Sequence, residues 1–170
     1  MKILAIDPGY ERVGIAILEK EREQKEAVLF SECFKTNKND KLPIRILEIG
    51  KEIKKVIKKY SPEVLAIETL FFTNNQKTAM GVAEARGAII YECSSSGLKI
   101  FEATPLQIKI ATTGYGKATK DQMMKMVKIL INIDPKPGEP NRGSKNKDSD
   151  DELDAIAIGL TAIAHLKIKG

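Results

Sequence analysis

The amino-acid sequence predicts an α/β fold: a five-stranded mixed sheet, three antiparallel strands followed by two parallel ones, flanked by helices. Three observations lead there. Ile3 to Ile6 and Val64 to Ile67 are short unbroken apolar runs, the pattern of strands buried on both faces. Three strand-like segments follow one another with short connections before residue 36, as in an antiparallel meander. From Leu42 the apolar period changes to that of a helix. A helix between two sheet strands implies a parallel crossover.

Taken in order, the first apolar run ends on Asp7, and Pro8-Gly9 breaks the pattern before a second run, Val13 to Leu18, completes a hairpin. Asp7 admits two readings here. It is an Asx-turn residue ahead of Pro-Gly, or a carboxylate held for chemistry where a rigid strand reaches the surface. Ala27 to Phe34 forms the third strand after the charged turn Glu19 to Glu26. Over 42–60, Leu42, Ile46, Ile49, Ile53, Val56 and Ile57 make one apolar helix face. Lys51, Lys54, Lys55, Lys58 and Lys59 lie mostly opposite, as a solvated face or a nucleic-acid contact.

Ser61-Pro62 stops that helix, and the next buried strand ends on Glu68. Were this strand parallel and adjacent to the first, Asp7 and Glu68 would emerge side by side. Asn75 to Ser96 reads as a long helix kept slim by Ala79, Gly81, Ala83, Ala85, Gly87 and Ala88, so that a core neighbour or a second subunit can approach. Gly97 ends it and Leu98 to Glu102 gives a fifth strand. Thr104-Pro105 opens a short helix, the glycine-bearing turn Gly114 to Lys117 follows, and a further helix runs from about Thr119 to Ile131. Asp134 to Asp148, with three Pro and two Gly, is a surface loop.

The last helix, Ser149 to Leu166, has an acidic entry. Ser149 and Glu152 fit a capping box, and Asp150 and Asp151 sit where the helix dipole favours anions. Asp154 lies in an almost wholly apolar stretch, where an unpaired carboxylate costs several kcal/mol or takes up a proton. Three residues apart, Asp151 and Asp154 project together. With Asp7 and Glu68 they make an all-oxygen set suited to a hard cation, Mg²⁺ or Mn²⁺. Two such ions about 4 Å apart would neutralise the acids and clamp a phosphodiester for hydrolysis. His165, eleven residues past Asp154, is roughly 16 Å along the helix and is expected at its exposed end.

The chain has 170 residues, enough for one domain spanning 1–170 with a full core, and 42% hydrophobic against 30% charged residues is a soluble globular balance. The net charge of +5 leans mildly towards polyanions. Cys33 and Cys93 are two isolated thiols, expected as reduced packing residues in a cytoplasmic protein. The first apolar run is too short for a signal peptide, and Ala155 to Leu166 falls short of a membrane span.

Four segments, IDPGYERVG at 6–14, LAIETLFF at 65–72, AEARGAI at 83–89 and DDELDAIAIG at 150–159, together resemble the RuvC family of Holliday-junction resolvases, which share the ribonuclease H-like fold. The resemblance implies a homodimeric, Mg²⁺-dependent endonuclease that nicks two opposed strands of a four-way DNA junction, with Asp7, Glu68, Asp151 and Asp154 as its catalytic and metal-binding acids. It places Phe71 at an aromatic that stacks on a base near the junction centre, and Lys109 and Lys120 near the scissile phosphate. Lys117 lies in the adjoining turn, whose glycines would let backbone N–H groups approach phosphates. A branch-migration motor complex is a further partner the resemblance raises. The competing readings are a related nuclease acting on RNA, a junction-binding protein without catalysis, and a sugar-kinase-like ATPase, which begins with a similar strand and Asp-x-Gly but needs a second phosphate motif.

Overall fold

The computed structural model describes residues 1–22, 24–70, 76–131 and 150–166, without the side chains of Gln76 and Lys77. Among them the chain forms β1 (Lys2–Asp7), β2 (Arg12–Glu19), β3 (Ala27–Lys35), α1 (Leu42–Tyr60), β4 (Val64–Glu68), α2 (Gln76–Ser95), β5 (Lys99–Ala103), α3 (Pro105–Thr113), α4 (Lys120–Leu130) and α5 (Asp150–His165). The strands make one sheet in the order β3-β2-β1-β4-β5. β1 pairs antiparallel with β2, and β2 with β3, whereas β1–β4 and β4–β5 are parallel. This is the mixed sheet that the apolar runs and the helical crossover predict.

β1 is the middle strand, and Ile3, Leu4, Ala5 and Ile6 are fully buried because helices cover both sheet faces. Ile3, Ala5, Ala16, Leu18 and Ala66 pack on the side of α5. Leu4, Ile6, Ile15, Ile17, Leu65 and Ile67 face Ile49 and Ile53 of α1 and Ala85, Ile89 and Cys93 of α2. In α1 the apolar stripe narrows to Ile49, Ile53 and Val56. The first turn instead buries the aliphatic and guanidinium parts of Arg45 and leaves Ile44 and Leu47 exposed. Ser61 takes a left-handed conformation at the end of α1, and its N–H bonds the Ile57 carbonyl. α3 and α4 each begin with a complete capping box, Thr104 with Gln107 and Thr119 with Gln122.

No helix among the described residues is long and apolar enough to cross a membrane. Cys93 is buried in the core, as expected of a packing residue, and its thiol is pushed up to about 12 by burial and then by Glu92. His165 lies exposed at the end of α5, with its Nδ1 2.8 Å from the Thr161 carbonyl oxygen. The loop at 134–148 and the Ser149 cap lie outside the described residues.

α5 reaches the sheet through small residues. A Cβ on Gly159 would collide with Leu18 Cδ1 and lie 3.1 Å from Ala5 Cβ. Gly159→Val is therefore expected to lower unfolding free energy by about 1–3 kcal/mol, read from the urea midpoint.

Candidate active site

Register decides where the acids meet. Ile6 pairs with Ile67, so Asp7 and Glu68 leave neighbouring parallel strands at the same edge of the sheet. Asp7 also pairs with Gly14 of β2, and Gly14 is what admits the third element. A Cβ there would run into the Asp151 carbonyl and sit 3.2 Å from Asp7 Cβ, so α5 can begin against the hairpin only over a glycine. Asp7, Glu68 and Asp154 line one cavity of about 260 Å³ with Lys109 and Lys120, over apolar surface from Met123, Ile108 and Ile158. Asp151 does not line it, and instead meets Arg12 of β2 and Cys33 of β3. Among the described residues the Asp7 carboxylate accepts no hydrogen bond from the Pro8-Gly9 turn, which removes the Asx-turn reading.

Electrostatics mark the cluster. Burial raises Asp7 to about 7, and repulsion from Asp154, Glu68 and Asp151 adds to it. Glu68 is raised by burial and by Asp154, and Asp154 by burial, despite a hydrogen bond from Lys120. Lys120 Nζ lies 3.1 Å from Asp154 Oδ2 and 3.7 Å from Asp150. Burial pulls the Lys120 ammonium down, but Asp154, Asp150 and Asp7 more than offset it, so Lys120 stays charged. On the other side Arg12 Nε sits 3.3 Å from Asp151 Oδ2, and the Cys33 thiol donates to that oxygen at 3.4 Å. Cys33 is thus not packing alone; it touches a site acid. As they stand, no three Asp, Glu, His or Cys side chains among the described residues are gathered closely enough to ligate one ion.

The remaining expected residues divide. Lys109 lines the cavity, half-buried on α3. Lys117 is exposed in the turn, outside the cavity lining. The turn itself differs from the expectation of free amides. Gly114, with φ +71°, caps α3 through its own N–H to the Ile110 carbonyl, and the Tyr115 N–H donates to Thr113 Oγ1. Two of its N–H groups are spent within the fold. Phe71 lies outside the described residues.

Three arginines escape a reading of the sequence by acid motifs. Besides Arg12, Arg86 of α2 donates to the Glu68 carbonyl at 3.0 Å and ion-pairs Glu102, tying β4 to α2 directly behind the acid. Arg45 clasps the residues after Asp7. Its Nε donates to Thr36 Oγ1, which donates to the Tyr10 carbonyl; its guanidinium stacks 4.8 Å from the Tyr10 ring centre, and Glu11 lies 3.8 Å away. Arg12 and Arg86 fall inside the IDPGYERVG and AEARGAI segments, which was the available signal. Nothing local announces Arg45.

A five-stranded mixed sheet with acids at the ends of its two central parallel strands and at the entry of a helix across them is the carboxylate site of a ribonuclease H-like fold. Residues 3–165 match the family model described as crossover junction endodeoxyribonuclease RuvC, and the chain belongs to that family. Relatives named crossover junction endodeoxyribonuclease RuvC include one from Caldicellulosiruptor saccharolyticus, 39% identical over 96% of this chain and 92% of the relative. Another, from Thermosipho melanesiensis, is 40% identical over 93% of this chain and 94% of the relative. Among solved structures, the Thermus thermophilus RuvC in complex with a Holliday junction substrate superposes with a TM-score of 0.83 at 26% identity, covering 96% of this chain and 93% of that one. A yeast mitochondrial Holliday junction resolvase shares the fold, with a TM-score of 0.64 at 15% identity over 94% and 77% of the two chains.

The raised Asp7 gives a sign for the pH dependence of stability. Its folded-state value of about 7 exceeds the ordinary 3.8, so the folded protein binds the extra proton and loses stability as pH climbs between those values. Asp7→Asn is expected to remove that loss, making the variant more stable than the parent at pH 8 by on the order of 2–4 kcal/mol, with the gap closing towards pH 4. Urea titrations of both proteins at the two pH values check it.

Proposed function

We propose that this chain resolves four-way DNA junctions by paired symmetric nicks, through metal-assisted phosphodiester hydrolysis. The observation that carries the reading is the cavity where Asp7, Glu68 and Asp154 converge with Lys109 and Lys120. Three desolvated acids share that space, and burial, then repulsion from Asp154, Glu68 and Asp151, raises Asp7. The donor chemistry fits hard divalent ions: every candidate ligand is a carboxylate, and the acids held above their ordinary range are those that gain most from a cation. Two Mg²⁺ ions, with Mn²⁺ as a substitute, would be held by Asp7, Glu68, Asp151 and Asp154, and would supply Lewis-acid activation of the attacking water and the leaving oxygen.

The chain's own residues do the rest. β1 and β4 fix Asp7 and Glu68, and Gly14 lets α5 bring in Asp151 and Asp154. Lys109 and Lys120 bind the scissile phosphate, with the Lys120 ammonium already at the cavity through Asp154. Met123, Ile108 and Ile158 keep bulk water from one wall. Lys117 contacts the DNA backbone beyond the cavity, and Phe71, three residues after Glu68, stacks on an unpaired base near the junction centre.

The 170 residues act as one nuclease domain in the cytoplasm, as a homodimer, since two opposed strands need two cavities. Met80, Gly87 and Tyr91 support an intersubunit face: they lie on one stripe of α2, exposed, with open space beside Gly87. A branch-migration motor would present the junction.

Incubated with a synthetic four-way junction and a linear duplex, the protein is expected to nick only the junction, symmetrically, and only with Mg²⁺ or Mn²⁺. Cutting of the linear duplex, or cutting in chelator, would refute this. Asp154→Asn should abolish cutting while retaining junction binding in a gel-shift assay; wild-type rates in Mg²⁺ would remove Asp154 from the site. Phe71→Ala should lose about 1–3 kcal/mol of stacking, seen more in single-turnover cleavage than in junction affinity.

A further inference from the structure

The cavity lysines Lys109 and Lys120 lie on one side of the acids, on α3 and α4, with Lys117 exposed in the turn between them. A second group of cations reaches the same edge of the sheet from the opposite side. Arg12 pairs with Lys35 across β2 and β3, at the end of the sheet that carries Asp7. Directly paired residues on neighbouring strands project to the same face. That face is the one α5 covers, because Arg12 and Cys33, two residues before Lys35, both reach Asp151. Lys35 therefore stands beside Arg12, one step further out from the acids. The connection to α1 then adds Lys38 and Lys41, both exposed, with Asp40 the one acid between Lys35 and Lys41.

None of Lys35, Lys38 and Lys41 has an ion pair among the described residues, in contrast to Lys20, Lys54, Lys55 and Lys120. The connection that carries them is nonetheless fixed. The Thr36 N–H donates to the Glu11 carbonyl, Thr36 Oγ1 to the Tyr10 carbonyl, and Arg45 Nε to Thr36. A held backbone bearing unpaired, solvated ammonium groups suits a polyanion whose charges repeat along a line. The row begins at a site acid, through Arg12, and leads outward over β3, away from Lys109, Lys117 and Lys120.

We propose that Lys35, Lys38 and Lys41 form a second phosphate track, binding the backbone of the DNA duplex on the β3 side of the cleft. The strand to be cut is then gripped on both sides of its scissile phosphate, by this track and by the cavity lysines. The track rests on the junction-nuclease reading for its ligand, DNA, but its contacts are to the phosphate backbone and are indifferent to base sequence.

The test compares the parent with K35Q/K38Q/K41Q and with K51Q/K54Q/K58Q, a change of equal charge on the solvent face of α1. Affinity for a synthetic four-way junction is measured in chelator from 50 to 200 mM salt. Each phosphate contact contributes about 0.9 to the slope of log K against log salt, so loss of the track should reduce the slope by roughly 2–3 and weaken binding at least about tenfold at low salt. The α1 variant should keep the parent's slope, and circular dichroism should show both variants folded. A K35Q/K38Q/K41Q slope equal to the parent's would overturn the track and leave the nuclease reading standing. An equal loss in both variants would also overturn it, reducing the effect to net charge. A parent that does not bind the junction would instead refute the reading beneath it.

Discussion

The structure is governed by the cost of holding four like charges at one edge of a buried sheet. Asp7, Glu68 and Asp154 are each pushed above the ordinary carboxylate range, first by burial and then by neighbouring acids: Asp154 acts on Asp7 and Glu68, and Asp150 and Asp151 act on Asp154. An arrangement of this kind costs folding free energy, and the fold answers it locally with two cations. Lys120 takes Asp154 and Arg12 takes Asp151, one from each side of α5. The rest of the scaffold serves rigidity. β1 is buried on both faces, α5 sits directly on it, and Arg86 ties the end of β4 to α2. Strain that would otherwise spread the acids apart meets a core with little room to yield.

The same site depends on absent side chains. Gly14 and Gly159 each stand where a Cβ would meet α5 or the strand beneath it. Gly14 is the more consequential, since it lies opposite Asp7 and under Asp151 at once, so one position sets the spacing between two acids on distant segments. Arg45 does comparable service for the residues after Asp7, gripping Tyr10 by its ring and, through Thr36, by its carbonyl.

Much of this was legible in the residues. The two apolar runs ending on Asp7 and Glu68 read as buried strands, and the helix between them implies a parallel connection, the arrangement that brings the two acids side by side. Asp154 stood out for the same reason that it matters, as a charge in an apolar helix. What stayed hidden depends on tertiary register. The Arg12–Asp151 pair joins residues with no sequence relation, Cys33 reached Asp151 only because β3 pairs with β2 in one register, and Arg45, buried beside the apolar stripe of α1, finds its partners only across the fold. In the 114–117 turn only part of the glycine signal concerns approach to a ligand. Glycine is read as freedom to approach a phosphate, whereas Gly114 uses that freedom to end α3.

The position of α5 in the chain has a temporal consequence. Asp7 and Glu68 are synthesised early, and the sheet strands can pair around them, but Asp151 and Asp154 belong to the last helix, which packs on the first two strands. A nascent chain still emerging from the ribosome therefore carries only half of its acids, and cannot yet assemble the full set. The four acids come together only once α5, made well after the sheet strands, docks on the first two of them.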